Sequence, residues 1–280
     1  MPTYNAQSSF TAQGLVLRRM LYTDLPLARE ICEALEKIHH VTPEDWEWVK
    51  SQSNIMPFME ARYLMTNRIL QQMGIHQVLE LASGLSPRGM VMSENSACTF
   101  VEVDLPDELL LKRGVIKELV ETGAIKPRNT NLHLLEGSVV EEKVFTGAEK
   151  FFRNEPVGVV CEGLLRYLSF ADKAILAGHI RDLLKTFGGA WITPDIELLD
   201  DARQHLHRRV ARMRGVDVEE NLFADMATAK KFFEDFGFVV RITPLGDMLG
   251  QLSSQEKCGL TTEQTAELLE GRRTFTMTLV

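Results

Sequence analysis

The stretch Leu79–Gly89, LELASGLSPRG, decides how the chain is read. It closes a short apolar run, HQVLEL at His76–Leu81, and opens into a Gly/Ser/Pro loop, which predicts a strand leaving a sheet. Gly84 allows a sharp turn and close approach of backbone to a ligand where a side chain would obstruct it. The next apolar run, TFVEV at Thr99–Val103, leads into Asp104, twenty residues beyond Gly84. A carboxylate there can accept both hydroxyl protons of a ribose, and Glu80, on the last turn of the first strand, can reach an amino or hydroxyl group. Such groups belong at the carboxyl ends of strands, where open αβ sheets bind ligands. A lone glycine in a strand-to-helix turn is simply a turn; its pairing with Asp104 within a βα series points to a cofactor. A dinucleotide fold would require GxGxxG, but Gly84 and Gly89 are the only glycines of the loop, and Pro87-Arg88 stands where helix amides would meet a pyrophosphate. The GxxxxG spacing also lacks the Lys-Ser/Thr of a phosphate loop, so a cofactor without phosphates fits better.

Working outward, Asn131–Leu135 (NLHLL), Val157–Cys161 and Gly189–Thr193 (GAWIT) read as further strands, with helices over Asp107–Thr122 and Asp172–Thr186 between them. This alternation predicts a parallel sheet with helices on both faces. After a charged helical stretch, Asp200–Arg214, and a helix over Thr228–Phe236 ended by Gly237, Phe238–Thr243 and Arg273–Leu279 supply a sixth and seventh strand. Before the sheet the pattern is helical over Gln13–Met20, Leu25–Ile38 and Phe58–Met73, the second with Asp24 as its cap and Pro26 in its first turn. Thr42-Pro43-Glu44-Asp45 repeats that start signal. The expected organisation is an N-terminal helical cap over 1–73, an α/β core over 74–280 and a helical lid insertion near 197–221, all one structural unit.

The 280 residues carry a net charge of −8, which disfavours a nucleic-acid surface. No apolar run approaches the ~20 residues of a membrane helix, and MPTYNAQSSF lacks the pattern of a secretory signal. Cys32, Cys98, Cys161 and Cys258 are widely spaced, as expected of reduced thiols in a cytoplasm and not of a metal site. The chain is therefore expected to be cytoplasmic, with no metal, nucleic-acid or membrane partner.

The segments ELASGLSPRG, FVEVDLPDELLLKRGVIKEL and VVCEGLLRYLS, with the arginine of MEARYLMTNRIL, resemble the leucine carboxyl methyltransferase family, including the bacterial O-methyltransferases of polyketide biosynthesis. The resemblance runs from about Arg62 to Asp195 and implies a seven-stranded, Rossmann-like sheet that binds S-adenosyl-L-methionine. It places Arg62 and Arg88 near the methionine carboxylate of the cofactor and Gly84 beneath the methionine, in a loop shared with Glu80, Ala82 and Ser83. Asp104, followed by Leu105, would bind the ribose, and Ser138-Val139 would flank the adenine. Glu162 would face the cofactor from the opposite side, with Tyr167 near the methyl-transfer position. The chain departs from the family in ASGLSPRG, where an aspartate-threonine usually precedes the arginine, and at Ser138-Val139, where an acid-leucine pair is common.

Glu162 also stands out on its own, since a carboxylate leaving the apolar strand VGVVC would be costly to bury unpartnered. Tyr167 competes with a packing role, and Arg166 reads as a surface ion-pair residue. Among the histidines, His133 reads as a sheet residue, and His205 and His207, two apart, cannot share a helical face; His39 and His40 complete the candidates for a base. With no evident base, a carboxylate acceptor is favoured, because it is ionised at neutral pH, whereas a phenol or alcohol would need deprotonation. The expected function is O-methylation of a small-molecule carboxylate (or hydroxyl), in polyketide or other secondary metabolism. The alternatives are methylation of a protein C-terminal carboxyl, a nucleotide-cofactor oxidoreductase, and a module that binds the cofactor without turnover.

Overall fold

The computed structural model describes residues 7–39, 41–51, 53–126, 131–199 and 218–279. In chain order these form α1 (Gln7–Tyr22), α2 (Ala28–Ile38), α3 (Pro43–Lys50), α4 (Met56–Gln72), β1 (Gln77–Leu81), α5 (Arg88–Met92), β2 (Thr99–Asp104), α6 (Pro106–Glu121), β3 (Leu132–Glu136), α7 (Glu142–Glu149), β4 (Val157–Cys161), α8 (Phe170–Phe187) and β5 (Gly189–Thr193). Then follow α9 (Met226–Asp235), β6 (Phe238–Pro244), α10 (Ser253–Lys257), α11 (Thr262–Leu269) and β7 (Arg273–Leu279). The seven strands make one sheet in the order β3-β2-β1-β4-β5-β7-β6, parallel except for β7, which runs antiparallel to both neighbours. This is the expected seven-stranded, Rossmann-like sheet.

β1, β2 and β4 are buried along their whole length because helices cover both faces, which is why they read as apolar runs without alternation. On one face Leu79, Leu81, Val101, Val103 and Val159 pack with α7, α8 and α9. On the other, Val78, Phe100, Val160 and Ile192 meet Phe58, Met65, Ile69 and Leu70 of α4. The boundary expected at 73/74 falls between α4 and β1, but packing crosses it: α4 is a layer of the core. The preceding helices dock instead on α6, with Val16, Leu17, Ile31 and Leu35 against Val115 and Leu119.

Local signals explain most helix starts. Thr42 and Asp45 form a reciprocal capping box on α3, Ser169 caps α8 and Asp225 caps α9. The expected cap at Asp24 is different. Leu27 takes a left-handed conformation (φ +61°) and α2 starts at Ala28, while the Asp24 carboxylate is drawn to Lys257 and its N–H donates to Ser253 Oγ. The short helices α5, α7, α10 and α11 carry too little periodicity to be read from sequence. α10 is held by Glu60, whose buried carboxylate accepts from the backbone N–H and hydroxyl of both Ser253 and Ser254. Most of the expected lid, and the helical reading at Asp200–Arg214, fall on 200–217, outside the described residues. Its two flanks are joined by a bridge between Leu198 and Phe223. Among the described residues no helix is long and apolar enough to cross a membrane.

Candidate functional site

Strand order reverses between β1 and β4, which are neighbours in the sheet although β2 and β3 intervene in the chain. The exits of these two strands therefore open a crevice at the carboxyl edge, and charged side chains converge there.

The loop after β1 is held by backbone geometry. Ala82 (φ +53°) and Gly84 (φ +48°) both lie in the left-handed region, a conformation that glycine tolerates and alanine resists. Ser83 N–H donates to Val103 O at 3.2 Å. The Asp104 carboxylate closes the loop, accepting from Gly84 N–H at 2.7 Å and Leu105 N–H at 2.8 Å. Each of its oxygens keeps a second lone pair for another donor. Burial pushes the Asp104 carboxyl above its ordinary value, although both amides and Lys112 pull the other way. Gly137 N–H donates to Asp104 O at 3.0 Å, bringing Ser138 and Val139, at the exit of β3, beside the same strand end. Ser138 N–H is taken by Glu141 at 2.9 Å, and the Val139 side chain is buried in the core.

Arg88 stands at the centre of the crevice with no exposed surface. Its Nη1 and Nη2 donate to Glu80 and Glu162, and its Nε to Asn67 Oδ1 at 2.7 Å. The guanidinium lies 4.6 Å from the Tyr63 ring centre, whose ring also meets Arg19 at 5.5 Å. Burial would raise Glu162, yet Arg88 and Arg62 outweigh it and hold this carboxyl below the usual range. Burial wins at Tyr63, whose phenol is pushed up despite Arg88 and Arg19. The close fit under α5 requires Gly89, since a β-carbon there would sit 2.3 Å from Glu102 Oε1.

Arg62, on α4, donates through Nη2 to Asp195, two residues past β5. Asp195 also accepts from Leu164 N–H at 2.7 Å, tying the exits of β4 and β5 together. Two buried atoms of this cluster, Arg62 Nε and Glu80 Oε2, have no partner among the described residues. Beyond Glu162, a 3₁₀ turn over Leu165–Tyr167 carries the half-buried Tyr167. Arg166, expected as a surface ion pair, is instead mostly enclosed, with its side chain only 14% exposed and paired to Glu197. Asn221 Nδ2 donates to Arg166 O at 3.1 Å, and Lys173 Nζ donates to Leu168 O and, at 2.8 Å, to Asn221 O, fixing the turn from below.

The crevice thus brings Glu80, Arg88 and Glu162 into one ionic cluster that Arg62 faces, and Gly84, Asp104 and Leu105 into one hydrogen-bonded loop. Of the histidines, His133 stacks on Phe151 with ring centres 3.9 Å apart, away from this cluster; His40, His205 and His207 lie outside the described residues. Asp195, Tyr63, Asn67 and Arg19 escape sequence reading. The available signal was a run of polar residues at helical spacing on α4 (Arg62 and Thr66, Tyr63 and Asn67) within an otherwise core-forming helix.

Several solved structures share this fold. The magnesium protoporphyrin IX methyltransferase of Synechocystis PCC 6803, solved with SAH (S-adenosylhomocysteine), has a TM-score of 0.51 at 9% identity, covering 89% of this chain and 94% of its own. An O-methyltransferase family protein from Burkholderia thailandensis gives 0.50 at 14% identity, over 91% and 71% of the two chains. PigF, also solved with SAH, gives 0.50 at 13% identity over 94% and 72%. No curated protein matches the chain in sequence. The model of the leucine carboxyl methyltransferase family matches residues 22–180, more than half of the chain, spanning α2 to the middle of α8 and with them strands β1 to β4. The chain belongs to the leucine carboxyl methyltransferase family and is a class I S-adenosylmethionine-dependent methyltransferase.

Proposed function

We propose that this enzyme methylates the carboxylate of a small molecule, giving a methyl ester, with the β1–β4 crevice holding the cofactor. When bound, S-adenosylmethionine supplies an electrophilic methyl group on a sulfonium. The crevice fits its amino-acid end: Arg62 Nε, a buried donor without a partner among the described residues, suits an α-carboxylate, and Glu80 Oε2, a buried acceptor likewise without one among them, suits an α-ammonium. The spare lone pairs of Asp104 suit the ribose hydroxyls. The backbone of Ala82, Ser83 and Gly84 lines the approach, and Ser138 and Val139 stand where the adenine would lie. Arg88, its Nε and both Nη atoms engaged, acts through Glu80 and Glu162, fixing where those carboxylates point.

The protonation state of the cluster carries the choice of acceptor. Glu162, held low by Arg88 and Arg62, is a weak base, and the Tyr63 phenol, held high, stays protonated at neutral pH. Neither suits abstraction of a proton from a phenol or alcohol, and a carboxylate acceptor asks for none. The chemistry then reduces to positioning and exclusion of water, which effective molarity rewards. Tyr167, on the turn after Glu162, borders the reacting methyl and orients the acceptor. The family's description names a carboxyl acceptor, which supports this reading. Protein incubated with methyl-labelled cofactor and a metabolite library should form a product that releases labelled methanol in mild alkali. A label stable to alkali would refute the carboxyl assignment, and labelling confined to peptides with a free C-terminal carboxylate would refute the small-molecule one.

A further inference from the structure

One more cation reaches the crevice, and it comes from α1. Arg19 lies in the last turn of that helix, ahead of residue 22, where the match to the family begins. Its backbone is pinned, since Arg19 O accepts from both Thr23 N–H at 2.9 Å and Thr23 Oγ1 at 2.7 Å. The side chain sets its guanidinium against the Tyr63 ring of α4, which Arg88 also meets. Arg19 is only 8% exposed, yet its guanidinium N–H groups have no hydrogen-bond or ion-pair partner among the described residues. Arg62 and Arg88 differ, each donating to a carboxylate of the cluster. The Tyr63 ring attracts the charge but takes no strong hydrogen bond, so these donors remain to be met. Glu162 and Glu80 feel Arg19 through space, and both are already engaged by Arg88. Burial pulls the guanidinium below its ordinary value, against the pull of Tyr63, Glu162 and Glu80. A basic residue in a last turn also suits the helix dipole, but a surface side chain would serve that purpose and need not be buried.

We infer that Arg19 binds the α-carboxylate of S-adenosylmethionine, sharing it with Arg62. This rests on the reading of the crevice as the cofactor site. Glu80 Oε2 is the acceptor offered to the α-ammonium, and the α-carboxylate hangs from the same carbon, so it comes to lie within reach of a cation that acts on Glu80. A carboxylate has about four lone-pair sites. Arg62 Nε supplies one donor, and a carboxylate buried on that alone would keep an oxygen dry and unpaired. Arg19 supplies the second. Arg19, Arg62 and Arg88 balance Glu80, Glu162 and Asp195 in charge, so a zwitterion, neutral as a whole, enters without upsetting the cluster. On this inference α1 is part of the cofactor site and not only a layer packed on α6.

Calorimetry on the full chain with two ligands tests it. S-adenosylhomocysteine carries the amino-acid end; 5′-methylthioadenosine keeps the adenosine and the thioether and lacks that end. Wild type should bind the first more tightly. Arg19→Met, which retains an apolar stem against Tyr63, should weaken S-adenosylhomocysteine about tenfold, the effect of one charge-assisted hydrogen bond. Methylthioadenosine affinity should stay within about twofold, and Arg19→Lys should recover part of the lost preference. Tm reports whether each variant folds, and Arg19→Gln carries the comparison if the apolar one does not. Unchanged S-adenosylhomocysteine affinity, or an equal loss for both ligands, overturns the inference. Arg62→Ala separates it from the reading beneath it. If that variant loses the preference and Arg19→Met keeps it, the inference alone falls; if both keep it, the amino-acid reading of the crevice falls too.

Discussion

Lys112 and Glu102 form an ion pair with no exposed surface on either side chain, Nζ to Oε2 at 2.6 Å, beneath the loop that carries Gly84. Glu102 lies opposite Glu80 in the β1–β2 register, and Asp104 is two residues further along, so three carboxylates share one face of the sheet. Arg88 answers the first and Lys112 the second, and Lys112 also reaches Ser83 Oγ at 3.4 Å. With an effective dielectric of about 20, a pair at that distance attracts by about 6 kcal/mol. Desolvation of two ions, several kcal/mol each, offsets most of this, so the intact pair contributes little net stability. Breaking it is another matter, because the surviving Glu102 must either stay charged in a dry site or take up a proton against the pH of the solution. Lys112→Met should cost about 3–5 kcal/mol, which at ~2–4 °C per kcal/mol lowers Tm by roughly 6–20 °C. Lys112→Met combined with Glu102→Gln should recover most of that loss. The cycle belongs at pH 8, because burial pushes Glu102 up to about 7 even with Lys112 beside it. The same shift fixes a pH dependence. The native state takes up a proton between about pH 4.5 and 7 that the unfolded chain has released, so stability falls as pH rises through that window. Glu102→Gln should flatten this slope. A double variant whose loss equals the sum of the single ones, by thermal or urea unfolding at pH 8, would refute the reasoning.

Three further outcomes follow from the loop and the cluster. Asp104→Ala should weaken S-adenosylhomocysteine binding by about 1–3 kcal/mol in calorimetry, and Gly84→Val should abolish it, since a β-branched residue strains at φ +48°; unchanged affinity in both folded variants would remove this loop from the cofactor site. Ala82→Gly should raise stability by about 0.5–1 kcal/mol, as relief of a left-handed alanine exceeds the entropy added to the unfolded chain; a fall in Tm would show that the methyl group's packing matters more. Arg62→Lys should weaken cofactor binding, because an ammonium cannot hold Asp195 and a ligand carboxylate with one planar fork; wild-type affinity in both the Lys and Ala variants would assign Arg62 to structure alone.

What could be read in the sequence, and what could not, divides by the range of the interaction. The central strands β1, β2, β4 and β5 were legible because burial on two faces writes a dense apolar run into each, β7 by its alternation, and the less buried edge strands β3 and β6 by shorter apolar runs. Gly84 and Asp104 were legible as a pair because both sit at strand exits of adjacent βα units, and the structure joins them by one hydrogen bond. The ionic partners were not. Arg88 meets Glu162 across 74 positions and Arg62 meets Asp195 across 133, and no local periodicity encodes such matches. Glu162 was noticed from the cost of burying it, which is a statement about need and not about who meets the need. That need also explains why the crevice is built from matched charges. Each buried carboxylate left without a cation would rise in pKa and lose its ability to receive an ammonium, and each free arginine would compete for the acceptor. By binding Glu80 and Glu162 to one arginine and Asp195 to another, the fold matches these charges while leaving one donor and one acceptor, Arg62 Nε and Glu80 Oε2, without a partner among the described residues. A zwitterionic end group satisfies both at once, whereas a simple anion or cation would satisfy one and leave the other buried and unpaired. On the proposed reading, the preference for an amino-acid end is a property of the residue balance, set before any contact with the transferred methyl.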